Sequence, residues 1–495
     1  MEREFSNRTG QDDEVRHRLL ILADMGNEPD EEQQMVHMIL CSNEFDLEGL
    51  IAVTGKYLQP AMGDAYKQVT HPELFHPIID AYETVLDTLR QHAEGWHDPG
   101  DLRSLVKAGQ PEYGMGGVGA GKSSPGSDQI VKALTSDDSR PLWVVVNAGS
   151  NTLAQALWDL RETRSPSELK GLVARLRVFE NGAQDDAGAW ACHEFPEIHW
   201  IRSNYQTYCY GGPGTDGMID NTGDPNNLGP YTWEPYDYSA VGQHQWALEH
   251  IKAGHGPLGR VWPLRQFGDG RVVFLEGGGT TPWLGLVNKG LFDPNHPHWG
   301  GWSGRFTRKK VKNYWSKHAS VRTDEEEVAP FYVYKEASDH WTNPETGETS
   351  DNVFAPVFRW RRAFFNDFIC RMDWCTQPYE KANHHPIAAV NGDTSDAILR
   401  QRAEAGSAVT MDASSSTDPD GDDLDFHWWV YPEAGTYSGD VRIANPHWAI
   451  AAAHIPKDAS GTRIHVILEV RDRNPIAPLY DYRRIVIDVE STTFG

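Results

Sequence analysis

The stretch "RLLILADMGNEPDEEQQMVHMIL" constrains the fold of this chain more than any other. Its apolar run from Leu19 to Ala23 stops at Asp24, and a Gly/Pro turn leads into Met35, Met38 and Ile39 at helical spacing. About five apolar residues bounded by such a turn read as a buried strand, and the spacing after it reads as a helix. "DLEGLIAVTG" then reads as a second strand, which completes a βαβ unit. Asp24, Glu28, Asp30 and Glu31 therefore crowd the loop at the carboxyl end of the first strand, where open parallel sheets bind ligands. Acids this close repel unless they are solvated or share a cation, and hard oxygen donors suit calcium or magnesium. A solvated helix N-terminus, whose macrodipole favours acids, is the structural alternative.

The same pattern recurs downstream. "PLWVVVNAGSNTLAQAL" predicts a strand ending near Asn147, and "RLRVFENGAQDDAGAW" one ending at Glu180 and Asn181 with Asp185 and Asp186 beyond. "EIHWIRSNYQ" predicts a third, ending at Ser203 and Asn204. If these strands are parallel neighbours, one rim of the sheet carries Asp24, Asn147, Ser150, Asn151, Glu180, Asn181, Asp185 and Asn204.

The length of 495 residues predicts two domains, the larger built on a sizeable sheet. A formal charge of −26 with no basic stripe argues against nucleic acid as a partner. No run of about 18 apolar residues is present to span a membrane. The polar start "MEREFSNRTGQDDEVRHR" lacks the apolar core of a signal peptide, so the chain as it stands reads as cytoplasmic, or as secreted if a leader was removed. Cys41, Cys192, Cys209, Cys370 and Cys375 are odd in number and scattered, which is no disulfide framework, and none forms a CxxC zinc motif. "GKSSPGS" around Lys122 lacks P-loop spacing.

Residues 205–350 are rich in Gly, Pro, Trp and Tyr without a period, as in "DPNHPHWGGWSGRF". Such loops are often binding surfaces on a rigid scaffold, and Trp299 and Trp302 are candidates to stack on a sugar. Packing as a satellite core is their structural alternative. "FAPVFRWRRAFFNDFICRMDW" predicts a long helix in which Asp367, inside an aromatic cluster, pairs with Arg361, Arg362 or Arg371, the last made easy by its spacing of four, or binds a metal. From residue 376 a Pro/Asn/Gly linker leads to short alternating strands, "SAVTMDAS", "LDFHWWVYP", "RIHVILEVRD" and "RRIVIDVE", the pattern of a small β-sandwich. The acidic turn from Asp418 to Asp423 lacks the Glu that completes an EF-hand and reads as solvated.

Together these stretches resemble a known family. The first βαβ unit is similar to that of nucleoside hydrolases, and "QDDAGAW", "HPHWGGWSGRF", "RWRRAFFNDFICRMDW", "ANHHP" and "STDPDGDDLDFHWW" follow, in order, the nucleoside-hydrolase-like, cellulose-binding family. The resemblance implies a Rossmann-like, mostly parallel α/β sheet of nucleoside-hydrolase type over residues 1–380 and an immunoglobulin-like all-β sandwich over 385–495. It also implies a calcium site with Asp24, Glu31, the Ser150 carbonyl and Asp367 as ligands. Asp24 would serve as general base, Asp30 would accept a sugar hydroxyl, and Asn366 would stand where hydrolases carry the His that assists the leaving group. Glu28, Asn151, Asn181, Asp185, Asp186, Trp299 and Trp302 would contact substrate. The implied activity is calcium-assisted hydrolysis of a glycosidic bond in a carbohydrate or nucleoside-like substrate, in a chain that can form a homo-oligomer. The alternative is carbohydrate binding without turnover, because Glu31 and Asn366 depart from the hydrolase pattern.

Overall fold

The computed structural model describes residues 16–210, 246–266, 272–273, 278–287, 290–313, 327–344, 347 and 349–491. Continuous apolar runs make its central strands, because each strand is covered on both faces. In β1 (His17–Ala23), Leu19 and Ile21 face one layer while Leu20 and Leu22 face the other, and all four are fully buried. The α-helix α1 (Pro29–Leu40) begins with Pro at its first position and buries Met35, Val36, Met38 and Ile39 against the first layer. It returns the chain to β2 (Phe45–Ala52), parallel to β1.

Further crossovers follow. The helices α2 (Phe75–Leu89) and α3 (Pro99–Leu105) lead to β3 (Val106–Ala108), and α4 (Pro125–Leu134) leads to β4 (Leu142–Val146). Then α5 (Asn151–Thr163) and α6 (Pro166–Ala174) lead to β5 (Leu176–Asn181), and α7 (Ala187–Glu194) leads to β6 (His199–Ser203). The sheet order is β3-β2-β1-β4-β5-β6, continued by strand Glu327–Glu336 and closed by Phe306–Asn313. Every pair is parallel except the last. Leu22 pairs with Val146, Val146 with Glu180, and Asn181 with Ser203, so the residues just past these strand ends line one edge, as the sequence implied.

The helix expected over 354–374 is broken into Ala355–Phe358 and Arg361–Trp374. The break turns Arg359 over the Tyr431 ring at 4.4 Å and sets Trp360 edge-on to Tyr482 at 5.5 Å, so packing against the C-terminal strands outweighs continuity. Those strands form a four-stranded sheet (Leu399–Ala403, Tyr480–Val489, Arg463–Asp472, Leu424–Val430) and a three-stranded one (Ala408–Asp412, Ile450–His454, Arg442–Ala444). Met411, Trp428, Val466, Leu468 and Ile485 fill the space between them.

The segment read as a loose linker is pinned instead. Asn383 donates to Asp472 at 2.9 Å, the His384 backbone N–H donates to Asp420 at 2.7 Å, and His385 Nε2 lies 2.6 Å from Asp367. Asp420 of the acidic turn is thus spent on this clamp, and Asp418 accepts the N–H groups of Asp420 and Asp422.

Candidate functional site

At the carboxyl edge of the sheet, the turn after β1 is closed by the Asn27 N–H on the Asp24 carbonyl at 2.9 Å. Gly26 takes φ +85°, and a Cβ there would meet the Tyr66 hydroxyl at 2.8 Å, so both conformation and space call for glycine. This turn brings Asp24 and Glu31 inward, 3 % and 2 % exposed, and leaves Glu28 and Asp30 half-buried. Glu28 occupies the N-cap position of α1 without capping it by side chain. Burial above all, then repulsion from Asp30 and Glu28, holds the Asp24 carboxyl well above the usual range. Burial, then Asp30 and Asp24, does the same to Glu31. Asp24 accepts the Asn27 amide at 3.0 Å, and neither buried acid forms an ion pair with a described residue.

Asn147, the first residue past β4, donates its amide to Glu31 at 3.2 Å and to Gln34 at 3.3 Å, while its buried Oδ1 has no partner among the described residues. The turn Gly278–Thr280 passes directly over this pair. A Cβ at Gly279 would stand 2.4 Å from Asn147 Nδ2 and 3.2 Å from Glu31 Oε1. Gly55 approaches equally closely, its Cβ position lying 2.6 Å from Asp24 Oδ2 and 2.7 Å from Gln184 Oε1. Gln184 in turn accepts the Lys56 N–H at 3.0 Å and donates to the Asn147 carbonyl at 3.2 Å. Sequence reasoning passed over Gln34, Gln184 and Gly55. Gln184 follows β5 just as Asn147 follows β4, and Gln34 lies three residues after Glu31 on one helix face, so both could have been found by the same rules.

The other expected residues divide by role. Asn181 is half-buried, its side-chain amide lies 3.9 Å from where a Cβ on Gly278 would sit, and that amide has no hydrogen bond to a described residue. Asp185 accepts the N–H groups of Asn151 (3.1 Å) and Ala187 (3.0 Å), pinning the starts of α5 and α7, and burial pushes its carboxyl up to about 7. Asp186 accepts the Met115 N–H at 2.8 Å, and Asn151 donates to the Glu112 carbonyl at 2.6 Å. These three side chains hold loops together. Ser150 is likewise engaged: its carbonyl accepts the Ala154 N–H at 2.9 Å and its hydroxyl donates to Glu180 at 2.9 Å. Glu180 also holds Arg202 at 2.5 Å and the Trp200 indole at 3.0 Å.

The late helix does not reach this edge. Asp367 faces Arg371 Nε at 2.9 Å and His385 at 2.6 Å, and it lies with His37 and Cys41, their ligand atoms within 4.8 Å of one another. His37 is six residues beyond Glu31 on α1, about 9 Å along the axis at 1.5 Å per residue. Asp367 is therefore held apart from Asp24 and Glu31, as the ion-pair alternative for a helical Asp near Arg anticipated. Asn366 donates to the Pro478 carbonyl at 2.7 Å and so joins the late helix to the C-terminal strands. Trp299 and Trp302 are 1 % and 3 % exposed and both belong to the main core, Trp299 stacking on His296 at 4.0 Å. Neither can act as a surface platform, because burying indole area under the loops is the larger gain.

The donor set at the edge fits a hard divalent cation. Asp24 and Glu31 offer buried carboxylate oxygens, Asn147 Oδ1 offers a third oxygen, and among the described residues no basic side chain pairs with either acid.

Known proteins place the chain. Residues 18–306 match the family described as "Cellulose-binding Sde182, nucleoside hydrolase-like domain", and residues 408–489 match "Cellulose-binding protein Sde0182, C-terminal domain". A solved nucleoside hydrolase-related hypothetical protein from Saccharophagus degradans, associated with carbohydrate metabolism, is 36 % identical over 96 % of this chain and 100 % of its own, with a TM-score of 0.78. The type III effector protein XopQ, solved with adenosine diphosphate ribose, is 14 % identical over 73 % of this chain and 95 % of its own, with a TM-score of 0.32, too slight a likeness to bear on the fold. No curated protein matches. The chain belongs to the Sde182 family, with an N-terminal nucleoside hydrolase-like domain followed by that family's C-terminal domain.

Proposed function

We propose that this protein hydrolyses a glycosidic bond in a carbohydrate or ribosyl substrate at the carboxyl edge of its sheet, with calcium held by Asp24 and Glu31. The observation that carries this reading is the pair of buried, mutually repelling carboxylates beside an unpartnered Asn147 Oδ1. Two such acids are costly to bury unless a cation or a proton is shared between them. When bound, calcium orients a water and lowers its pKa.

The chain's own groups supply the rest. Asp24 takes a proton from the attacking water as the water oxygen bonds to the anomeric carbon and the glycosidic bond breaks through an oxocarbenium-like transition state, and the leaving group takes its proton from solvent. In this reading Asp30 accepts a sugar hydroxyl and the half-buried Asn181 amide donates to another. The Gly278–Thr280 turn covers Glu31 and Asn147 and keeps bulk water from them. The kinship with a carbohydrate-associated protein supports a carbohydrate substrate.

One observation favours a second reading, carbohydrate binding without turnover. Asn366 and Asp367 are both turned away from the edge, so the late helix places no acid on the leaving-group side. Release of nitrophenol from a panel of nitrophenyl glycosides, and of base from nucleosides, measured in calcium and in EDTA, decides between them. Calcium-dependent release that Asp24→Asn abolishes is expected. Sugar binding with no release from any substrate would select the second reading.

A further inference from the structure

We infer that the cleft between the late helix and the outward face of the C-terminal four-stranded sheet is a second saccharide site, separate from the acidic edge. A cavity of about 350 Å³ lies there, lined by Trp341, Arg362, Trp429, Glu469, Tyr480 and Tyr482 among others. That size falls in the range of about 300–1,000 Å³ usual for small-ligand sites.

The composition of the sheet face is the first argument. In strands Leu424–Val430 and Arg463–Asp472, one parity of residues, including Trp428, Val466, Leu468 and Val470, fills the sandwich core. The opposite parity should be either polar, if it meets water, or aliphatic, if it packs on the neighbouring domain. It is neither. His427, Glu469 and Tyr482 stand in one cross-strand row, and Trp429 lies two residues from His427 on the same face. Aromatic rings and titratable groups thus alternate over a surface that a neighbouring domain partly covers.

Glu469 is the second argument. Its carboxyl is partly buried, receives no hydrogen bond from any described residue, and is pushed up to about 7 by burial. Leaving a carboxylate unsatisfied in a partly closed site costs stability unless a ligand or water satisfies it. Trp341, from the hairpin Asp339–Asn352 region of the α/β part, adds a ring from the other domain.

These features select the ligand class. Sugar rings present C–H faces that pack on aromatic rings and hydroxyl edges that need acceptors and donors at once. The rings of Trp341 and Trp429 supply the first, while Glu469 and the Arg362 guanidinium supply the second. A wholly apolar ligand would strand the carboxylate, and a phosphate would be set against it. A neutral mono- or disaccharide meets both requirements. This inference rests on the cleft alone and not on hydrolysis at the acidic edge.

The test is calorimetric titration of the full chain with cellobiose, maltose and lactose, in EDTA so that no cation at the acidic edge contributes, with Trp341→Ala and Glu469→Gln beside the wild type. At least one disaccharide is expected to bind the wild type, and to bind each variant at least tenfold more weakly while circular dichroism and thermal unfolding show both variants folded. Absence of binding by all three sugars, or wild-type affinity in both folded variants, would overturn the inference. So would binding of adenosine monophosphate in place of any sugar.

Discussion

Replacing Asp367 by Asn separates an ion-pair role from a metal-ligand role. In the structure both partners, Asp367 and Arg371, are 1 % exposed, their contacts are 3.0 and 2.9 Å, and His385 adds a third at 2.6 Å. Removing one member of such a pair typically costs about 3–5 kcal/mol, because the other charge stays buried. Arg371 is not left alone, however: it keeps Glu44 at 2.6 Å, Asn43 Oδ1 at 3.0 Å and the Leu40 carbonyl at 2.8 Å. The expected loss is therefore at the lower end, about 3 kcal/mol. Urea unfolding followed by tryptophan emission, with and without calcium, measures it. The account requires a lower midpoint for Asp367→Asn and a calcium-induced stabilisation equal to the wild type's. A folded variant that has lost that stabilisation, with little intrinsic cost, would show Asp367 to be a ligand and refute the reasoning.

Other outcomes follow from single contacts. Glu469→Gln should stabilise the protein above pH 7: the folded carboxyl holds its proton up to about 7 and the unfolded one only to about 4.5, so as pH rises between those values wild-type stability falls more steeply than the variant's. The gain at pH 8 should be about 1–3 kcal/mol, read from unfolding curves at pH 4 and 8, and equal pH slopes would contradict it. Trp299→Ala should cost about 3–5 kcal/mol while leaving disaccharide affinity unchanged, since the ring is core; lost affinity in a stable variant would restore it as a platform. Gly279→Ala would push a methyl to 2.4 Å from Asn147 Nδ2, so the turn must shift, and calcium stabilisation and any glycoside turnover should both fall severalfold.

The parallel sheet was legible because a strand buried on both faces must be apolar throughout and must end where polar residues resume. Asn147, Glu180–Asn181 and Ser203 all fall at the ends the sequence marked. The crowding of Asp24, Glu28, Asp30 and Glu31 after the first strand was legible, but not which of them turn inward: position alone does not separate Asp24 and Glu31 from Glu28 and Asp30, and the motif resemblance named Asp30 as well. The fates of Asn366, Trp299 and Trp302 were not legible either, for a shared reason. Each is decided by packing between segments far apart in the chain, such as Asn366 on Pro478 and Trp299 against His465. Spacing within one helix or loop carries no record of those partners. For Asp367 the local rule, an Arg four residues on, pointed to the observed contact, whereas the motif resemblance pointed to the metal. Asp185 and Asp186 look like ligands in sequence because they follow a strand end, yet that position also faces the free N–H groups of helix starts, which claim them.

The central claim is that Asp24 and Glu31 share a cation beside Asn147. A crystal structure of the full chain grown in millimolar calcium tests it most directly. The account predicts an ion bound by Asp24 and Glu31 within a shell of about six to eight oxygens at about 2.3–2.6 Å, with Asn147 Oδ1 turned toward it. Calcium absent from that edge, or bound instead between His37, Cys41 and Asp367, would contradict it.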